Sequence, residues 1–209
     1  MEQLAVILLF VVFWQTRIMN LKKAIACLCI QSLVISAVCL IASFSIHTGF
    51  HAFLPAILTF FIKACFIPYT LFKIAGKLTD EKEILSAINV NYSTFASASS
   101  FVVAYIVLEK MIPTIAQQNI VAASFVLTLT GLILIVMRSR ALMQIVGLIT
   151  MENGIYLFGM AMTDGLPLII ELGVFFDVLV AAVVLVVLTN RLKISFMTTD
   201  TKVMKKLKG

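Results

Sequence analysis

Long apolar runs separated by short polar stretches dominate this chain, and their lengths carry the first inference. Residues 3–16, 24–46, 52–76, 95–113, 117–137, 141–162 and 166–189 are apolar with few interruptions. A helix needs roughly 20 such residues to cross about 30 Å of hydrocarbon. The pattern therefore predicts seven transmembrane helices. Between the third and fourth lies KLTDEKEILSAINVNYS, residues 77–93, polar and long enough for a short amphipathic helix at the membrane surface. The chain closes on a basic tail over 191–209 with Lys202, Lys205, Lys206 and Lys208.

Composition turns this pattern into a fold class. Hydrophobic residues make up 62% and charged residues 12% of the 209 positions, with a mean hydropathy of +1.11, whereas soluble domains carry about 25% charge. The expected fold is an all-α integral membrane protein, a single membrane domain over 1–209. The first run carries Glu2 where a signal peptide has basic residues, and its positive charges follow the apolar stretch, so it reads as a mature helix.

The net charge of +6 is spread over helix ends rather than gathered in a patch, so no nucleic-acid surface is expected. Of the 16 Lys and Arg residues, all but Lys63 and Lys110 fall in alternate connections: Arg17, Lys22 and Lys23; Lys73, Lys77 and Lys82; Arg138 and Arg140; and everything from Arg191 onward. The positive-inside rule assigns that side to the cytoplasm. It places the N-terminus outside and the C-terminus inside, which requires an odd number of helices. A multi-pass protein of the cell's inner (cytoplasmic) membrane follows.

Charges inside the spans are the chemistry on offer. Lys63 falls near the centre of the third predicted helix, Glu152 near the centre of the sixth, and Glu171 and Asp177 in the seventh. Each costs roughly 2.5 to 3.5 kcal/mol at a helix centre, so the four together cost about 10 kcal/mol if charged and unpaired. One structural explanation pairs Lys63 with Glu152 or Asp177 as a bridge that only sets packing. Another lets an acid near a helix end reach headgroup water, which suits Glu171 and not the other three. The functional explanation is a proton relay or ion path: burial favours the protonated carboxyl, a neighbouring lysine favours the carboxylate, and a movable lysine switches between them. Glu171 and Asp177, six residues apart, are offset by about 120° around their helix and about 9 Å along it. They look like successive stations.

Other chemistry is sparse. Cys27, Cys29, Cys39 and Cys65 lie within apolar runs and read as small buried thiols, neither a disulfide framework nor a metal set. His47 and His51 are spaced i, i+4 but flank a predicted outer loop. Glu109 and Lys110 precede Pro113 at the outer end of a helix, as solvated charges would. No metal site, cofactor or catalytic site of the chain's own is expected.

Beyond composition, the residues carry a resemblance. LITMENGIYLFG followed by LIIELGVFFDVLVAAVVLVVL resembles the last two helices of the hydrogenase-4 component E family, the small membrane subunit of group 4 hydrogenase and formate hydrogenlyase complexes. The matching positions are Met151, Glu152, Asn153 and Gly154, then Glu171, Gly173 and Asp177. FFIKACFIPYTL is similar to that family's lysine-bearing helix, with Lys63 and Pro68 in place. The likeness extends over essentially the whole chain, the first two helices and outer loops contributing only pattern.

The resemblance implies a four-helix part over 1–113, and over 114–190 three helices similar to the K-type subunit of respiratory complex I and the C-type subunit of cation/proton antiporters. It implies a membrane-arm subunit beside antiporter-like subunits, coupled indirectly to nickel-iron hydrogenase-like and iron-sulfur peripheral subunits. Lys63, Glu152, Glu171 and Asp177 would line a hydrated axial path for protons or sodium, with Asn153 and Pro68 in support. One departure stands out. The G-L-E motif of the K-type subunit falls on Gly147, Leu148 and Ile149, and the acid comes one helical turn later, at Glu152. Two alternatives stay open: a subunit of a cation/proton antiporter, and a purely structural subunit whose charges lock helices together.

Overall fold

The computed structural model describes residues 2–45, 57, 60–76, 90–111 and 118–162. A backbone in hydrocarbon must satisfy its own N–H and C=O groups, which helices do within one segment. Accordingly the described residues form helices and no strand: α1 Glu2–Arg17, α2 Leu21–Ser45, a π-helical turn Phe60–Phe66 running into α3 Ile67–Ala75, α4 Val90–Met111, α5 Gln118–Met137 and α6 Ala141–Met162. Within α2, α4, α5 and α6, four stretches of 18 to 22 residues are long and apolar enough to cross a membrane. α1 is a shorter apolar helix.

Six predicted helices are thus matched in order, with shifted ends. The largest shift is at α4, which begins at Val90 rather than near 95, so 90–93 belong to the span and not to a surface segment. Ser93 and Ser97 are buried there, so these hydroxyls face neighbouring helices. The predicted seventh helix over 166–189 with Glu171 and Asp177, the connection over 77–89, His47, His51 and the basic tail lie outside the described residues.

Helix ends are fixed by local bonds. Asn20 caps α2, its Oδ1 accepting the Lys23 N–H at 3.3 Å. α5 and α6 form an antiparallel hairpin around Arg138–Arg140, and their backbones approach closely. A Cβ on Gly131 would lie 2.6 Å from Met151 Cα and 2.7 Å from the Gly147 carbonyl, and one on Gly154 would meet the Thr128 and Ser124 backbone at 2.5 and 2.7 Å. Only small residues permit that approach, and in a membrane it is what dispersion contacts between helices require. α1 lies against α2, α4 and α5, and α3 packs on α2.

Contacts gather one set of helix ends on one side. Arg138 Nη2 donates to the Thr16 carbonyl at 2.6 Å, Thr16 Oγ1 meets Thr94 Oγ1 at 3.5 Å, and Ala75 shares an apolar cluster with Leu21 and Ala24. Of the eight basic residues described, Arg17, Lys22, Lys23, Lys73, Arg138 and Arg140 are at this end, and only Lys63 and Lys110 are not. The basic end of the bundle is therefore a structural feature as well as a sequence count. Toward the other end, Ala5, Leu8, Val12, Ile35, Val38, Val126, Leu127, Leu157 and Met160 form a continuous apolar core. Phe10, Trp14, Phe95, Val102 and Val136 point outward, as lipid-facing side chains do.

Candidate functional site

Pro68 shapes the helix that carries the lysine. Having no N–H, it cannot bond the Ala64 carbonyl one turn earlier, and its ring crowds that carbonyl. The chain answers with a wider turn over Phe60–Phe66; such π turns are rare and recur at functional sites. The Ala64 carbonyl receives the Cys29 thiol of α2 at 3.5 Å. Lys63, in the π turn, is turned inward and is 1% exposed. Pro68 is therefore a positioning residue for the lysine.

Three partners of Lys63 come from one turn of α6. Its Nζ lies 3.2 Å from Glu152 Oε1, 3.4 Å from Asn153 Oδ1 and 4.8 Å above the centre of the Tyr156 ring. Carboxylate, amide oxygen and aromatic face each suit a cation. Glu152 is 7% exposed and Asn153 is fully buried. Glu152 is 11 residues into α6 and Lys63 is 12 residues before the end of α3, so both sit about 17 to 18 Å from the basic end, half-way along a spanning helix. Of the sequence-predicted residues, Lys63, Glu152, Asn153 and Pro68 come together here. Ile149, where the K-type motif has its acid, is fully buried in an apolar cluster with Leu28, Ile67 and Leu71.

The ion pair has neighbours that counting charges did not reveal. Nearer the basic end, Gln31 Nε2 of α2 donates to Gln15 Oε1 of α1 at 2.6 Å, and Gln15 Nε2 donates to Thr150 Oγ1 of α6 at 3.2 Å. All three are buried. Thr150 also donates to the Val146 carbonyl at 2.8 Å. On the other side, the Cys39 thiol lies 3.2 Å from the Tyr156 hydroxyl and 3.4 Å from Met160 Sδ. Uncharged polar residues within apolar runs were the available signal: Gln15, Gln31 and Thr150 each interrupt one.

Arg138, counted among the loop cations, is 1% exposed and donates to the Thr16 carbonyl at the C-terminal end of α1, where a cation also meets the negative end of the helix dipole. Gln144 Nε2 in turn holds the Arg138 carbonyl at 2.8 Å. Cys65, read as a buried thiol, is exposed, while Cys27 and Cys39 are buried and Cys29 half-buried. Among the described residues no group of three His, Cys, Asp or Glu side chains could hold a metal ion.

Spanning helices around a buried charge pair at mid-depth define a multi-pass helical membrane protein. Over 151 residues, 70% of its length, the chain is 29% identical to an uncharacterized protein of Mycobacterium tuberculosis (strain ATCC 25618 / H37Rv), covering 68% of that protein. No family model matches the chain, and no solved structure does.

Proposed function

We propose that this protein is a non-catalytic membrane-arm subunit of a complex I-like, ion-translocating assembly, a membrane-bound hydrogenase or formate hydrogenlyase, in which Lys63 and Glu152 belong to a proton or sodium path. The observation that carries the proposal is the Lys63–Glu152 contact of 3.2 Å at mid-depth. A packing bridge needs no π turn, whereas here a wider helical turn aims the lysine at the acid. A buried pair adds little net stability over apolar residues of the same volume, so its presence favours use. The likeness of MENG, ELGVFFD and the lysine-bearing helix to hydrogenase-4 component E supports the assembly.

In this reading the chain spans the cytoplasmic membrane seven times, with the basic end in the cytoplasm and the N-terminus outside. Glu171 and Asp177 on the seventh helix continue the path. Antiporter-like subunits flank it and hydrogenase-like and iron-sulfur subunits dock peripherally. The polypeptides that co-purify in mild detergent test the assembly: nickel and iron-sulfur subunits support it, and antiporter subunits alone replace it with a cation/proton antiporter. Glu152→Gln tests the path. Ion translocation should be lost with the assembly intact; translocation equal to wild type refutes the relay role.

The three contacts of Lys63 on one α6 turn favour a second reading, a structural lock. There, Lys63→Met with Glu152→Leu leaves the assembly formed and ion movement unchanged.

A further inference from the structure

The α1–α2–α6 junction carries more polar atoms than its own contacts use. Gln31 Oε1 and Asn153 Nδ2 are buried and have no protein partner among the described residues, although their residues are fully buried. Buried polar atoms in folded proteins are almost always matched by protein groups or ordered water, and a site with several polar partners suits water. Here the partners form a sequence in space. Arg138 grips Thr16 at the basic end, the adjacent Gln15 meets Gln31 and Thr150, and Asn153 lies one α6 turn beyond Thr150, touching Lys63 at 3.4 Å.

Past Asn153 the Tyr156 hydroxyl meets the Cys39 thiol, and α6 otherwise presents Leu157, Met160 and Ala161 to an apolar core that includes Leu8, Val12, Ile35 and Val38. The α2–α3–α6 interface is apolar toward the basic end too, packed with Leu21, Ile25, Leu28, Leu71 and Ile149. The amides of Gln15, Gln31 and Asn153 and the Thr150 hydroxyl thus lie on one route from the Lys63–Glu152 pair toward the basic end.

We propose that this junction is a one-sided water inlet, entered at the basic end beside Arg138, lined by Gln15, Gln31 and Thr150, and ending on Asn153 against the Lys63–Glu152 pair. Neutral amides and a hydroxyl between two cations, Arg138 and Lys63, suit water and repel metal ions. As a proton supply it rests on the relay reading, but the hydration itself does not, and the test measures hydration alone.

The full chain in lipid bilayers, isotopically labelled, is examined by solid-state NMR with magnetisation transferred from water. The side-chain amides of Gln15, Gln31 and Asn153 should receive water signal, while the Ile35 and Val38 methyls receive none. Gln31→Leu, and the isosteric Thr150→Val as a second variant, should each cut transfer to Asn153 by at least about threefold, since both remove partners of the bridging water. Dry Gln31 and Asn153 amides in the wild type would reduce the junction to an interhelical clamp and overturn the proposal. Undiminished transfer to Asn153 in both variants would also overturn it. Exchanging choline for sodium should leave the amide resonances in place; a sodium-dependent shift marks a metal-ion site and refutes the water inlet. Loss of ion flux in Glu152→Gln, or its absence, bears on the relay and leaves these outcomes as they are.

Discussion

Removing one charge of the Lys63–Glu152 pair should destabilise the protein far more than removing both. In Lys63→Met the carboxyl of Glu152, 7% exposed, loses the ammonium 3.2 Å away, and in Glu152→Leu the ammonium loses that carboxylate. Breaking one side of a buried pair costs about 3 to 5 kcal/mol, because the remaining charge stays out of water without its counter-ion. The double variant Lys63→Met/Glu152→Leu has neither charge and should lie near wild type or up to about 4 kcal/mol above it.

Equilibrium unfolding in lipid or mixed micelles compares the two single variants and the double variant with wild type. Single variants that lose less than about 1 kcal/mol would refute the reasoning, because exposed pairs behave that way.

Three further substitutions probe the surroundings. Gly131→Ala should destabilise by about 1 to 3 kcal/mol in thermal unfolding, because the new methyl meets Met151 Cα at 2.6 Å; Gly76→Ala, whose nearest neighbour is the Phe72 carbonyl at 3.4 Å, is the control and should change little. Arg138→Met should lower stability by about 1.5 to 3 kcal/mol, the worth of a charged hydrogen bond, through loss of the 2.6 Å bond to Thr16, and proteolysis should reach the α1 end sooner. Pro68→Ala supplies an N–H for the Ala64 carbonyl and should relax the π turn toward an α-helix. Lys63 then turns away from Glu152, which infrared spectroscopy reads as a shift of the Glu152 carboxylate band.

Much of this was legible because a membrane reduces the problem to length and punctuation. α5 and α6 could be bounded within a residue, since Arg138 and Arg140 interrupt two apolar runs. The common depth of Lys63 and Glu152 followed from counting residues along helices of fixed rise. What escaped was anything decided by side-chain direction. Ser93 looked like loop, yet a hydroxyl on a buried face is compatible with a spanning helix and α4 begins before it. Gln15, Gln31 and Thr150 interrupt apolar runs without carrying charge, so three helices had to be brought together before their contact appeared. Arg138 counted correctly toward the basic end, but a tally of charges does not reveal that its guanidinium turns inward. Pro68 hinted at a perturbed helix without saying that the next turn back would widen.

The glycine seam between α5 and α6 has a mechanical consequence. Where backbone touches backbone, no side chain can change rotamer to absorb a slide, so α6 is held in register with α5 like one half of a vice. Glu152, Asn153 and Tyr156 are then the fixed jaw. Lys63 rides on a turn with a looser hydrogen-bond ladder, next to a proline and a carbonyl held by a thiol. If the contact between acid and lysine opens and closes, the travel is taken up on the lysine's side, and the seam makes α6 the stator against which it moves.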